Sequence, residues 1–222
     1  MQIHFVRGSK LPIMFDLIQK DFLRVSKRPG TPLHWLIKAM THVGFRAVLL
    51  YRVGRWYRTH GWRWLAAWHD RWIQRSCQCC ISTAAEIGPG FKISHTVGLV
   101  IGSGCIIGAN CDIRQNVTLG GNYSKKDNQD RTKPILGNHI SVGAGAVILG
   151  PVRIGDDSII GANAVVTQNI PGHCIAAGVP ARVIKERWDG FSGRGLNLEI
   201  PAPESDQETE TSHMHEINQE RW

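Results

Sequence analysis

Residues 81–119 read ISTAAEIGPGFKISHTVGLVIGSGCIIGANCDIRQNVTL, and along them an aliphatic side chain returns every six positions. The series runs Ile81, Ile87, Ile93 and then, after a slip of two residues, Ile101, Ile107, Ile113 and Leu119. Beyond an insertion it resumes at Leu136, Val142, Ile148, Ile154, Ile160 and Val166, with glycine following directly at 88, 102, 108, 120, 137, 143, 155 and 161. A helix repeats at about 3.6 residues and a half-solvated strand at two, so neither generates a step of six. The step belongs to a parallel β-helix of hexapeptide repeats, in which each hexapeptide supplies one short strand and a corner, and stacked coils bury a continuous aliphatic ladder.

Working outward from the ladder, the 17-residue gap between Leu119 and Leu136 predicts a loop over residues 121–134, rich in Lys, Asp, Asn and Arg. A loop held on a rigid solenoid is a place where function collects. Before the repeats, over residues 14–78, apolar residues fall at three- and four-residue steps punctuated by Pro29, Gly30, Pro32, Gly44 and Gly61, which predicts several short helices. After them, residues 189–222 contain PAPESDQETETS and little apolar content with which to offset ordering entropy, so a disordered acidic tail is expected. The domain reading is therefore a helical segment over 14–78, a β-helix over 79–188 and a tail over 189–222.

The 222 residues are 42% apolar, enough for one sizeable core. No run approaches the roughly 18 apolar residues that span a bilayer, and MQIHFVRGSKLPIMF lacks the apolar stretch and small-residue site of a signal peptide, so a cytoplasmic protein is expected. The six cysteines, at 77, 79, 80, 105, 111 and 174, fit no disulfide framework, and C-x-C-C over 77–80 is not a usual zinc spacing; they read as small hydrophobes, with no metal. The net charge of +8 hides an asymmetry: residues 1–188 carry 24 bases against ten acids, residues 189–222 two bases against eight acids. Such a basic body suits phosphate-bearing ligands or an anionic surface. Between Pro32 and Arg75 eight Lys or Arg residues interleave with Trp35, Trp56, Trp62, Trp64, Trp68 and Trp72. Either the indoles pack helix against helix with the cationic heads solvated, or a basic, aromatic face makes peripheral contact with an anionic membrane. No nucleic-acid motif accompanies the charge.

The stretches EIGPGFKISHTVGLVIG, NVTLGG, SVGAGAVILGPVRIG and AAGVPARVI resemble the serine O-acetyltransferase branch of the hexapeptide-repeat acyltransferases, and the likeness covers about residues 14–187. The family's short forms begin near MFDLIQKD, which makes Met14 a candidate start. The resemblance implies a left-handed coil, although parallel crossovers are generally right-handed. It also implies acetyl-CoA as co-substrate and a homotrimer with sites between subunits. The family's catalytic base falls on His95 in SHTVG; an imidazole, with an ordinary pKa near ~6.5, can take the proton of an acceptor hydroxyl as it attacks a thioester. Backbone amides at Gly120 and Gly121 would stabilise the tetrahedral oxyanion, though a tight turn into the loop explains those glycines equally well. The coenzyme would lie along Gly143, Ala144, Gly161 and Ala162 towards Gly178, Pro180 and Ala181, with Arg182 and Lys185 as phosphate partners.

The departures bear on the acceptor. In serine acetyltransferases an Asp 15 positions before the catalytic His orients it, and here that position is Cys80; an Asp immediately before the His is Ser94. The Arg-His pair of the family's loop becomes Arg131-Thr132, and the Asp of its N-terminal Asp-Pro becomes Arg28-Pro29. Of these polar positions Arg131 alone is kept, and serine's ammonium is left without the carboxylates it needs. The pattern is closer to the acetyltransferases of colanic acid and exopolysaccharide biosynthesis, which implies a sugar or glycan-precursor hydroxyl as acceptor, with His95 oriented by a backbone carbonyl or Glu86. Serine itself is the alternative, and a non-catalytic trimeric scaffold a further one. A γ-carbonic-anhydrase-type zinc hydratase needs three converging His, and only His95 and His139 lie in the coils before the C-terminal end.

Overall fold

The computed structural model describes residues 10–122 and 124–186, with side chains from residue 14 onward. The expected acidic tail lies outside the described residues. Helices come first: α1 (Lys10–Ser26), α2 (Pro32–Thr41), α3 (Val43–Thr59) and α4 (Arg63–Cys77). The first of them starts ahead of Met14. Helix α2 opens with Thr31 as N-cap and proline at its first position, and α3 opens on His42, whose Nδ1 accepts from Phe45 N at 3.1 Å.

Three hexapeptides make one turn of the coil, because every third strand pairs in parallel with the next. The first face stacks β1 (Cys80–Ile81), β4 (Val100–Ile101), β7 (Thr118–Gly120), β10 (Val147–Leu149) and β13 (Val165–Val166). The second stacks β2 (Glu86–Ile87), β5 (Ile106–Ile107), β8 (Ile135–Leu136) and β11 (Arg153–Ile154). The third stacks β3 (Lys92–Ile93), β6 (Asp112–Ile113), β9 (Ser141–Val142), β12 (Ile159–Ile160) and β14 (Cys174–Ala177), closed by the antiparallel β15 (Arg182–Glu186). All thirteen ladder residues read from the sequence are buried. Each isoleucine so placed is worth roughly 1.5–3 kcal/mol of burial. The register is uniform: Ile81 pairs with Ile101, Ile87 with Ile107 and Ile93 with Ile113.

Two residues before the ladder positions, small side chains fill the space between sheets, including Cys79, Ala85, Cys105, Cys111, Ala146, Ala164 and Cys174. Burial pushes the Cys79 thiol up to about 12 and those of Cys105 and Cys111 to about 11, so they serve as packing groups. Cys80 alone among the six is exposed. At the corners a glycine with positive φ lies over an asparagine of the next coil. A Cβ on Gly145 would run into Asn163 Oδ1, and Asn163 itself adopts the left-handed region that asparagine tolerates.

The helices dock on the coil through α3. Arg52 donates from Nε to Asp21 Oδ2 at 2.7 Å, from Nη2 to Asp21 Oδ1 at 3.1 Å, and from its two Nη atoms to the carbonyls of Ile87 and Gly88 at 2.6 Å each. Asp21 also accepts from Phe91 N at 2.8 Å, and Tyr51 Oη donates to Ala85 O at 2.9 Å. Five hydrogen bonds around one buried ion pair thus join α1, α3 and the first coil. Gly44 lies so close to Ile93 O that a Cβ there would overlap the carbonyl. The helices' own core is Ile18, Phe22, Trp35, Ala39 and Phe45. Indole packing holds for Trp35, which is buried, and Trp56, which is half-buried; Trp62, Trp64, Trp68 and Trp72 point outward instead. Gly54 bears on this for α4, since a Cβ there would meet His69 and Thr83; α3 and α4 approach closely, and the side chains between them are Ala66, His69, Ile73 and Cys77 rather than indoles.

Candidate functional site

The corner between the third and first faces carries most of the residues singled out from the sequence. Strand β3 is followed there by Ser94–Gly98, β6 by Arg114–Asn116, β9 by Gly143–Gly145, β12 by Gly161–Asn163 and β14 by Gly178. Backbone bonds tie each corner to the next: Asn116 N donates to Val97 O at 2.9 Å, Gly145 N to Gln115 O at 3.0 Å, Asn163 N to Ala144 O at 2.8 Å, and Val165 N to Gly178 O at 3.0 Å. His95, Gly143, Ala144, Gly161, Ala162 and Gly178 therefore lie along one ridge that crosses the whole coil. Arg182 and Lys185, both exposed, stand on β15 at its far end, where Arg182 Nη1 donates to Gln168 Oε1 at 3.5 Å. Pro180 is exposed and Ala181 buried beside them.

His95 is exposed at the first corner. Among the described residues no side chain hydrogen-bonds its ring. Cys80 lies at the start of β1 on the adjoining face, its N–H donating to Leu99 O at 2.8 Å. Glu86 does not orient His95: it is on the second face, where it meets Arg55 at 3.3 Å. The reason is the coil itself, which turns each successive hexapeptide onto another face.

Beside His95 the singled-out Ser94 belongs to a cluster whose other two members, Lys92 and Asp112, escape the sequence reading. Ser94 Oγ donates to Asp112 Oδ1 at 3.1 Å, and Lys92 Nζ approaches Asp112 Oδ2 at 2.8 Å. Lys92, Ser94 and Asp112 share the outer side of the third face because Lys92 pairs in register with Asp112 and side chains alternate along a strand. The signal was available: Lys92 and Asp112 each directly precede a ladder isoleucine one coil apart. His42, at the junction of α2 and α3, leans over the same spot. Burial holds its imidazole below the ordinary value, with the charge of Lys38 next and smaller repulsions from Lys92 and His95. The carboxylate near the expected base thus comes from the following coil and is already paired with a lysine.

Gly120 and Gly121 stand elsewhere. Gly120 ends β7 at the opposite edge of the first face, and Gly121 begins the loop that returns at Ile135. A Cβ on Gly121 would meet the Lys133 side chain, so the absent side chain makes room for that lysine. Within the loop Arg131 N donates to Asp127 Oδ1 at 2.9 Å and Asp127 N donates to Arg131 O at 3.0 Å, while Asn122 N donates to Thr132 O at 3.1 Å. The backbone N–H of Arg131 holds the Asp127 carboxyl below the usual carboxylate range. In one chain, then, His95 and the Gly120-Gly121 pair occupy different corners of the prism. Among the described residues no group of three His, Cys, Asp or Glu side chains is placed to hold a metal ion.

Residues 133–168 match the bacterial transferase hexapeptide family (six repeats). The chain is 41% identical over 155 residues to a serine acetyltransferase of Salmonella typhimurium, covering 70% of this chain and 54% of that protein. To a serine acetyltransferase of Synechococcus elongatus it is 33% identical over 171 residues, covering 77% of this chain and 69% of the relative. Among solved structures, the serine acetyltransferase of Brucella abortus in complex with coenzyme A superposes with a TM-score of 0.70 at 30% identity, covering 80% of this chain and 70% of that one. The chain spans about half the length of the Salmonella relative.

Proposed function

The chain belongs to the serine acetyltransferase family, and from that premise we propose that it is an acetyl-CoA-dependent O-acetyltransferase with L-serine as acceptor. The observation that carries the reading is the ridge: an exposed imidazole at one end, the small residues Gly143, Ala144, Gly161, Ala162 and Gly178 at the later corners, and Arg182 and Lys185 at the other end. In this reading the coenzyme lies along Gly143, Ala144, Gly161, Ala162 and Gly178, and the two cations meet its phosphates. His95 takes the acceptor's hydroxyl proton as the oxygen attacks the thioester carbonyl. When the tetrahedral intermediate collapses, the proton goes to the departing thiolate. Gly120 and Gly121 supply oxyanion donors from a neighbouring chain, since their corner is remote from His95 of the same chain. That geometry calls for a homotrimer with its sites between subunits.

A second reading, a sugar hydroxyl as acceptor, is favoured by one observation, the cluster of Lys92, Ser94 and Asp112. Serine brings an ammonium group, and here the nearest carboxylate is already neutralised by Lys92. Cys80 and Ser94 offer no carboxylate of their own. A neutral polyhydroxyl acceptor meets no such repulsion.

One experiment separates the readings: coenzyme A release from acetyl-CoA with L-serine or with a panel of mono- and oligosaccharides, using His95→Ala as the blank. Serine-dependent release at an ordinary rate supports the first reading, and sugar-dependent release without a serine response supports the second. Loss of His95 is expected to cost about 10²–10⁴-fold in turnover with coenzyme binding little changed; equal turnover removes His95 from the chemistry.

A further inference from the structure

We propose that the outer face of α4 docks on anionic lipid headgroups. Helix α4 is amphipathic in an unusual sense: Ala66, His69, Ile73 and Cys77 face inward, while its largest apolar side chains face water. Trp64, Trp68 and Trp72 follow one another at four-residue spacing and are 74%, 54% and 44% exposed. The rings of Trp68 and Trp72 lie 5.0 Å apart, centre to centre, so they form a continuous stripe. Arg71 and Arg75, also exposed, fall within the same arc, and Arg63 flanks it.

The charge of this face has one sign. Asp70, the single acid of the helix, accepts from Thr83 N at 2.8 Å and lies 3.9 Å from Arg58, on the side turned towards α3 and the coil. Among the described residues no carboxylate remains between the indoles. An acidic polypeptide would answer the arginines but leave three indoles in water. A second copy related by a twofold axis would bring Arg71 and Arg75 against their own images. A lipid headgroup layer supplies both needs at once: phosphates for bidentate guanidinium contacts, and a boundary where an indole buries its ring and keeps its N–H wet. Among the described residues no helix is long and apolar enough to cross a membrane, so the contact is peripheral.

The test is flotation of the full chain with phosphatidylcholine vesicles and with vesicles of equal parts phosphatidylcholine and phosphatidylglycerol, at low and physiological salt. Binding to the anionic vesicles alone is expected, weakening with salt. Arg71→Gln with Arg75→Gln should lower partitioning by about fivefold per arginine, and Trp64→Ser with Trp68→Ser should lower it at least tenfold. Circular dichroism should be unchanged for both pairs, because all four positions are exposed. Absence of binding, equal binding to both vesicle types, or binding indifferent to either pair overturns the proposal. So does a fall in assembly size in the tryptophan pair, which would assign the face to contacts between copies, or capture of duplex DNA in preference to vesicles.

Discussion

In the coil, stability is spread over many equivalent parts; in the helical layer, attachment is concentrated in a few. Each ladder residue of the coil has a like neighbour one turn above or below, and the backbone bonds between strands repeat without interruption. The helices hold to that coil through the Arg52–Asp21 pair, the Tyr51 hydroxyl, the tight approach of Gly44 to Ile93, the bonds of Arg58 and Asp70 to Thr83, and the burial of Ala47, Val48 and Ile73 in the coil's own core. A periodic structure loses a fraction of its cohesion when one residue is cut, whereas a seam that contains a buried ion pair loses far more when one partner of that pair is removed. The seam also brings His42 over the first corner, so the soundness of the attachment bears on the site.

The largest effect should come from Arg52→Ala, which leaves Asp21 buried without its cation and is expected to cost about 3–5 kcal/mol. The signature is selective: helical ellipticity should melt ahead of the coil, and a single transition shifted as a whole would show that the two regions unfold as one. Next comes Leu119→Ala, a cavity in the ladder expected to cost about 2–5 kcal/mol; its melting by near-ultraviolet and far-ultraviolet dichroism should stay coincident, because neighbouring coils share the loss. The smallest is His42→Asn. The neutral imidazole caps α3 and is held below its unfolded pKa, so the folded state binds fewer protons than the unfolded state as pH falls below about 6.5. Its contribution is complete above that pH and is lost on acidification towards the folded value. Asparagine keeps the cap and does not titrate, so the variant should match the parent within about 1 kcal/mol at pH 7.5 and lose less stability than the parent between pH 6.5 and 5. A parallel decline in both would take His42 out of the seam's acid response.

The coil was legible because its period has no competitor. All thirteen ladder residues point inward, and the loop begins and ends where the missing step placed it. The helical layer was less so, since α4 carries two apolar stripes, one of Ala66, Ile73 and Cys77 and one of three indoles, and periodicity cannot say which faces in. Close approach of α3 at Gly54 decided for the smaller set. At the site, His95 and the small corner residues were singled out by resemblance to the family, and the repeat sets them on one ridge. The Lys92–Asp112 contact did not, because it joins residues twenty apart in the sequence and depends on the slip between Ile93 and Ile101. Expecting Glu86 near His95 was a one-dimensional judgement of closeness in a chain that changes face every six residues.

The loop between Gly120 and Ile135 leaves and rejoins the coil without disturbing it: Ile106 still pairs with Ile135, and Ile107 with Leu136. Its length is thus decoupled from the stacking on either side, and its sequence from the ridge that starts at His95. Such a segment is interchangeable in the way a tool bit is. Grafting another loop at this junction would change the groups exposed at that corner while the repeats beneath stay as they are, so lineages sharing this coil can diverge there without having to refold.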